Sequence, residues 1–325
     1  MNSLRTALLS SIFLCLSISA PFVAEGGRKQ ASNTPESAQT YLQQGNEQAK
    51  NGLFAEARES FEKAASMDPD LAPVAYFSLG MAYGSKGRWL EATTELRKAV
   101  ALRPDDIMLH FNLANAYQAS GATDNAIDEY QEIIAINPGL YWAHFNLGTI
   151  YAQTNDLERA ISEHEKAVEL SPKLALIHFK LGNLYGIKGA VDQSIASYEE
   201  AISLDPKHHL SHYNLGLAYL HKKDTKRATL EFNKTVEINP QYAEAYVNLG
   251  VIHLLEKKPD EAISVLTTAL DIKPDLIKAL INMAVAYRDK GEFEPALKYA
   301  QRAKDLGSVS AKNFIDSIRK KMDDQ

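Results

Sequence analysis

The sequence predicts an all-α solenoid, a fold in which helix–turn–helix units of one length stack side by side. The first observation is a repeat, because the stretch from His110 to Tyr117 (HFNLANAY) returns in edited form every 34 residues, at His144, His178 and His212. A period of this size takes precedence over any local pattern. The second observation is a proline near the end of every unit but the last, at a spacing of 34 or 35 residues. These prolines are Pro69, Pro104, Pro138, Pro172, Pro206, Pro240 and Pro274.

Within a unit the apolar residues follow the helical period. In the fourth unit, Leu147 and Tyr151 lie three and seven residues after His144, on one stripe of a helix. Ala160 and Ala167 mark a second helix after a turn, and the proline ends that helix because it cannot continue one. The predicted units are 38–72, 73–106, 107–140, 141–174, 175–208, 209–242, 243–276 and 277–308. An array of this kind needs a polar cover at its end, so residues 309–325 are predicted to be a capping helix and tail.

The turn between the two helices carries a glycine in most units, for example Gly121 and Gly189. A glycine here suits the left-handed conformation that often follows a helix end. Asn155 can adopt the same conformation in the fourth unit. Lys223 and Lys257 adopt it at a higher cost, so we expect distorted turns in the sixth and seventh units.

Composition limits the classes of function. The chain has 325 residues, of which 45% are apolar and 23% charged, and its formal net charge is −6. This balance gives no electrostatic reason to expect a nucleic-acid partner, which requires a clustered basic surface. The single cysteine, Cys15, lies in the apolar N-terminal segment. The rest of the sequence therefore has no disulfide, thiolate metal site or cysteine nucleophile.

The N-terminus is predicted to be a signal peptide, residues 1–24. Arg5 is the only charged residue before Glu25, and the segment between them is apolar and ends in small residues near Ala24. The alternative is an uncleaved membrane anchor at residues 7–24, although that length lies at the lower limit for a membrane span. Residues 25–37 are expected to form a flexible linker. The protein is thus predicted to be exported, periplasmic or secreted, and to contact a membrane only if the segment is not cleaved.

The repeat resembles the tetratricopeptide repeat (TPR), on the basis of the Leu-Gly pair, the tyrosine, the alanine, the aromatic residue and the proline at fixed offsets. The resemblance covers about residues 38–308. It implies a right-handed superhelix whose first helices line a concave groove, with repeat positions 2, 5, 6, 9, 12 and 13 facing inward. The pentatricopeptide repeat, which reads RNA, is the nearest look-alike. The acidic balance and the small-residue pattern argue against it.

Mapped onto the TPR pattern, the groove carries two rows of side chains. Position 6 carries an asparagine ladder, which resembles the ladder in the TPR region of O-linked N-acetylglucosamine transferase: Asn112, Asn146, Asn214, Asn248 and Asn282, with Lys180 in the fifth repeat. Position 9 adds Asn115 and Asn183. Position 5 carries an aromatic row: Phe77, Phe111, Phe145, Phe179 and Tyr213. An amide side chain is both donor and acceptor, so the ladder can bind the backbone of an extended polypeptide.

Alternative interpretations of these residues remain open. An inward asparagine could merely bond a neighbouring repeat, and the aromatic residues could serve packing. The carboxylate clamp that some TPR proteins use is incomplete, because Phe111 and Leu176 stand where lysines are required. The position-4 histidines are interpreted as packed side chains, since neighbouring helices about 8–10 Å apart cannot share one metal ion. His208 and His209 are interpreted as solvated loop residues.

These observations predict a non-enzymatic scaffold or adaptor that binds an extended polypeptide segment in its groove. No catalytic constellation, cofactor site or small-molecule substrate site stands out from the repeat pattern, and the expected partners are other proteins. Two alternatives are a targeting or regulatory subunit of a separate enzyme and an envelope assembly factor.

Overall fold

A computed structural model describes residues 37–323 of the chain. The predicted signal peptide or anchor and the linker up to residue 36 lie outside the described residues. Within 37–323 the chain forms seventeen α-helices and one short 3-10 turn, Pro69–Leu71, and contains no strand. The predicted all-α solenoid of helix–turn–helix repeats is therefore confirmed.

The first helices of the eight repeats are α1 (Ala38–Lys50), α3 (Ala72–Ser85), α5 (Ile107–Ser120), α7 (Tyr141–Gln153), α9 (Ala175–Lys188), α11 (His209–His221), α13 (Ala243–Leu255) and α15 (Ile277–Asp289). The second helices are α2 (Phe54–Met67), α4 (Trp89–Leu102), α6 (Thr123–Ile136), α8 (Leu157–Leu170), α10 (Val191–Leu204), α12 (Thr225–Ile238), α14 (Pro259–Ile272) and α16 (Phe293–Asp305). The last helix is α17 (Val309–Asp323). Each helix packs mainly on the next one along the chain, so a repeat contacts only its neighbours.

Close approach of the two helices of a repeat depends on a small residue in the middle of the first helix. A Cβ atom at Gly148 would lie 2.3 Å from His164 Nδ1, and one at Gly216 would lie 2.7 Å from Phe232 Cε1. No side chain fits in that space without displacing the ring. The ring on the second helix therefore packs directly against the backbone of the first helix and is buried there.

The turns of the sixth and seventh repeats are not distorted, so that expectation is wrong. Lys223 and Lys257 take left-handed φ angles of 61° and 58°, close to the 64° of Asn155. The packing of the flanking helices fixes the geometry of the turn, and the lysines adopt it at a cost of about 1–2 kcal/mol each. The same backbone hydrogen bond closes both turns, from Asp224 N to Tyr219 O and from Lys258 N to His253 O, as it does in the fourth repeat from Asp156 N to Tyr151 O.

The C-terminal end of the array is covered by α17. Its apolar face places Ile315 and Ile318 against Phe293 and Ala300 of α16, and both isoleucines are buried. The predicted capping helix is therefore present. None of the helices in the described part of the chain combines the length and apolar composition needed to cross a bilayer.

Candidate functional site

The asparagine ladder lies on the first helices, and all five of its side chains are half-buried. Among the described residues, Asn146 and Asn282 make no side-chain hydrogen bond. Their amide groups are held at the surface with both donor and acceptor unused. Because an unused half-buried amide costs free energy, these two rungs are the ones best suited to bind another molecule.

Three rungs are partly engaged by the protein itself. Asn112 Nδ2 donates to Met108 O of its own helix at 2.7 Å. Asn214 Nδ2 donates to Asn183 Oδ1 of the preceding repeat at 2.9 Å, and Asn248 Nδ2 donates to the hydroxyl of Tyr213 at 3.2 Å. The alternative that asparagines bond a neighbouring repeat therefore applies to Asn214 and Asn248. In all three rungs Oδ1 accepts no hydrogen bond from residues 37–323.

The position-9 asparagines are anchored by tyrosines of the second helices. The hydroxyl of Tyr130 donates to Asn115 Oδ1 at 3.2 Å, and that of Tyr198 donates to Asn183 Oδ1 at 2.7 Å. Burial raises the pKa of Tyr198 above its ordinary value, so this hydroxyl remains a donor. The Nδ2 groups of both asparagines donate to no described residue, so one hydrogen-bond donor stays available at each.

The side chains of the aromatic row pack mostly against other rings of the protein. The ring of Phe111 lies 5.2 Å from that of Trp142 in the next repeat, and the ring of Phe179 lies 4.7 Å from that of His208. Phe179 is only 8% exposed, so its contribution is packing rather than an open surface. The other members, Phe77, Phe111, Phe145 and Tyr213, are half-buried.

An exposed apolar row at repeat position 2 was missed by the sequence interpretation. Met108 is 56% exposed and Leu176 is 52% exposed, and Val74 is also exposed. Trp142 and Leu210 complete the row as half-buried members. Each lies one helical turn before a position-6 residue and therefore on the same side of its helix. The signal was present in the sequence, because five consecutive repeats place an apolar residue at this inward position. We call positions 2, 6 and 9 of the first helices the first-helix face.

Lys180 takes the ladder position in the fifth repeat. Its side chain is half-buried and forms no hydrogen bond or ion pair with any residue in 37–323. Burial lowers the pKa of this ammonium below its ordinary value. The neighbouring His164 is 1% exposed; its Nδ1 donates to Ala160 O at 2.9 Å, and its Nε2 has no partner in the described part of the chain. Burial, reinforced by the charge of Lys180, lowers the pKa of His164 to about 4.

The position-4 histidines are buried and belong to the scaffold. His110, His144 and His212 each place Nδ1 2.6–2.7 Å from a glutamate nineteen residues later. Those glutamates are Glu129, Glu163 and Glu231. The hydrogen bond to Glu231 raises the pKa of His212. His178 lacks this partner, because Ser197 stands in that place, and bonds only Pro172 O, at 2.8 Å.

The second histidine group differs from its interpretation as solvated loop residues. His208 and His209 are both half-buried, and His208 Nδ1 bonds Ser211 Oγ at 2.7 Å. Burial lowers the pKa of both imidazoles. In residues 37–323, no group of histidine, cysteine, aspartate and glutamate side chains has a geometry that could hold a metal ion.

Family models match most of the chain. The model described as TPR repeat matches residues 80–121, 148–189 and 187–223. Models described as tetratricopeptide repeat match 38–71, 109–139, 129–162, 210–242 and 241–307. Together these matches run over 38–71 and 80–307. Comparison with curated proteins gives no match.

Solved structures with similar folds are numerous. The C-terminal part of a TPR repeat-containing protein from Cytophaga hutchinsonii is 16% identical, covers 74% of this chain and 99% of its own, and has a TM-score of 0.63. MamA is 26% identical over 53% of this chain and 94% of its own, with a TM-score of 0.49. YrrB, described as a TPR protein with an unusual peptide-binding site, is 21% identical over 58% of this chain and 96% of its own, with a TM-score of 0.49.

The family matches cover the same 34-residue units that form the helix pairs, and the structural comparison supports the same fold. The chain therefore belongs to the tetratricopeptide repeat family.

Proposed function

We propose that this protein is a non-enzymatic scaffold that binds an extended segment of a partner polypeptide along the first-helix face. The observation that carries the proposal is the unused hydrogen-bonding capacity of the asparagine ladder. Asn146 and Asn282 are unpartnered within residues 37–323, and the other rungs keep a free Oδ1. An amide side chain can accept from a backbone N–H and donate to a backbone C=O at once.

The spacing of the rungs supports an extended ligand. Neighbouring helices pack about 8–10 Å apart, and an extended polypeptide rises about 3.3 Å per residue. One rung would therefore serve about every third residue of the ligand. Each hydrogen bond contributes only about 0.5–1.5 kcal/mol, so useful affinity requires several rungs together. The exposed apolar row, with Met108 and Leu176, would add burial of alternate ligand side chains.

The resemblance of the ladder to that of O-linked N-acetylglucosamine transferase rests on sequence pattern and supports the same mode of binding. The acidic balance of the chain supports a protein partner over a nucleic acid. We also propose export of the protein, because the uncharged apolar segment of residues 7–24 has the composition of a signal peptide. The partner would then be found in the compartment to which the protein is exported.

Replacement of three rungs tests the proposal. The variant Asn146→Ala, Asn214→Ala, Asn248→Ala should lose peptide affinity by at least about tenfold, because three backbone contacts are removed. Peptides selected from a random displayed library against the wild-type protein serve as ligands, and their affinities are measured by calorimetry. Circular dichroism reports whether the variant keeps its helices.

A matched control comes from the other helices. Asn125, Asn233 and Asn313 are exposed and make no side-chain hydrogen bond with the described residues. Their triple alanine variant should bind as the wild type does. Equal affinity of the ladder variant and the wild type, with both proteins folded, would rule out the ladder as the binding surface.

The two alternative functions predict different partners. A targeting or regulatory subunit should co-purify with one enzyme in fixed stoichiometry, and an envelope assembly factor with an assembling complex. Crosslinking in the exported compartment, followed by identification of the partners, separates these outcomes from a scaffold that binds several polypeptides through one sequence motif.

A further inference from the structure

The first-helix face contains one full charge in its central part. In the second to sixth repeats, positions 2, 6 and 9 carry apolar, hydroxyl and amide side chains with the single exception of Lys180. The other members are Val74, Ser78, Met81, Met108, Asn112, Asn115, Trp142, Asn146, Thr149, Leu176, Asn183, Leu210, Asn214 and Leu217. A ligand that lies along the face of these five repeats therefore meets one cation, at a fixed point of the ladder.

The surroundings of Lys180 provide no counter-charge. The ammonium forms no ion pair within residues 37–323, although its side chain is half-buried. The neighbouring His164 is buried and neutral at ordinary pH. A partly desolvated ammonium without a partner is unfavourable, and the penalty is relieved when a carboxylate binds to it. The unpaired ammonium of Lys180 therefore favours a ligand that brings a negatively charged group to this point.

We propose that Lys180 selects the ligand by pairing with the carboxylate of an aspartate or glutamate side chain in the bound segment. This inference rests on the proposed function of the first-helix face. It places the acidic residue opposite the fifth repeat, with an apolar ligand residue beside it on Leu176, one helical turn from Lys180.

The carboxylate belongs to an internal side chain and not to the end of a polypeptide. Rungs of the ladder lie on both sides of Lys180, with Asn112 and Asn146 before it and Asn214 and Asn248 after it. A ligand that uses these rungs continues past Lys180 in both directions, so its terminus lies elsewhere.

Peptide binding with altered charges tests the inference. Peptides selected against the wild-type protein should share an acidic residue at one position. Changing that residue to its amide should weaken binding to the wild-type protein about ten- to hundredfold, the worth of a charge-assisted hydrogen bond. With Lys180→Asn, which restores the ladder residue, the ratio between the acidic and amide peptides should fall close to one. With Lys180→Glu, a peptide carrying lysine at that position should become the preferred ligand.

The control is Lys173→Asn, since Lys173 is an exposed lysine whose side chain forms no hydrogen bond or ion pair with the described residues. This variant should keep the wild-type preference for the acidic peptide. Amidation of the peptide C-terminus should leave the affinity unchanged, and a loss would assign the carboxylate to the terminus and overturn the inference.

The inference and the function on which it rests can fail separately. If Lys180→Asn retains the wild-type ratio while the ladder variant loses binding, Lys180 is not the selecting residue and the ladder still binds. If the wild-type protein selects no peptide at all, both are overturned.

Discussion

His164 occupies the position on α8 at which other second helices place Tyr198 or Phe232 against a glycine. The ring is fully packed, but its Nε2 has no hydrogen-bond partner among the described residues. A buried polar atom without a partner destabilises a fold by about 1–3 kcal/mol. His164 therefore lowers the stability of the fourth repeat, whereas Tyr198 and Phe232 fill the same position in the next two repeats without an unpaired ring nitrogen.

The variant His164→Phe should be more stable than the wild type, and more so at acidic pH. Burial lowers the pKa of His164 from 6.5 to about 4. A lowered pKa means that the unfolded chain binds the proton more tightly, so the wild-type protein loses stability as the pH falls through 6.5 towards 4. Between pH 7 and pH 5 this loss amounts to about 2 kcal/mol.

Denaturant titrations of both proteins at pH 7 and pH 5 measure this difference. The advantage of His164→Phe should grow on acidification, because phenylalanine cannot be protonated. Phe232 and Gly216 show that a phenylalanine ring fits against a glycine at this place in the repeat. If the stability advantage of His164→Phe is the same at both pH values, the pKa of His164 does not differ between the folded and unfolded protein, and the prediction is wrong.

Turns show how the helices of a repeat impose geometry on the residues between them. Lys223 follows α11 with a left-handed φ of 61°, which glycine adopts without strain. Lys223→Gly should therefore stabilise the protein by about 1 kcal/mol. Lys298, an exposed residue in the middle of α16, supplies the matched control, because Lys298→Gly should destabilise by about 0.5–1 kcal/mol.

Thermal unfolding of the two variants gives the comparison directly. The lysine-to-glycine change should raise the unfolding midpoint at the turn and lower it in the helix, because only the backbone conformation differs between the two sites. If Lys223→Gly lowers the midpoint as Lys298→Gly does, the turn of the sixth repeat is relaxed and not left-handed in solution.

The helices and their order could be predicted from the sequence, because the 34-residue period sets both the apolar stripe of each helix and the stacking of the repeats. The placement of Asn146 on an open face follows from that period together with the family pattern. The burial of Phe179 could not be predicted, because it depends on ring contact with His208, the last residue of the same repeat, which lies 29 residues later in the sequence. The absence of any partner for Lys180 in 37–323 is likewise a property of three-dimensional neighbours. The left-handed lysines were missed because residue preference was weighed without the packing of the flanking helices.

At the scale of the whole molecule, each repeat is stabilised by its neighbours and not by one central core. Buried residues accordingly form a series of clusters along the array. In such a molecule a defect at one end should remain local. At the C-terminal end of the array, α17 covers the last repeat with the buried Ile315 and Ile318.

Ile318→Ala should loosen the C-terminal end of the array and leave its centre intact. The isoleucine is fully buried against α16, and its truncation should cost about 2–5 kcal/mol of local stability. Hydrogen exchange should accelerate in α15, α16 and α17 but not in α9, because the interfaces between repeats five and eight are unchanged. Lys312→Ala, on the exposed side of α17, should change neither region.

The same variant connects stability to binding. Asn282, the last rung of the ladder, lies on α15, so a frayed end removes this rung while Asn146 stays in place. A peptide long enough to reach the eighth repeat should then lose affinity for Ile318→Ala, and a shorter peptide that ends before it should not. Equal losses for both peptides, or exchange that accelerates equally in α9, would show that the array unfolds as one cooperative unit. The ladder would then depend on the cap along its whole length.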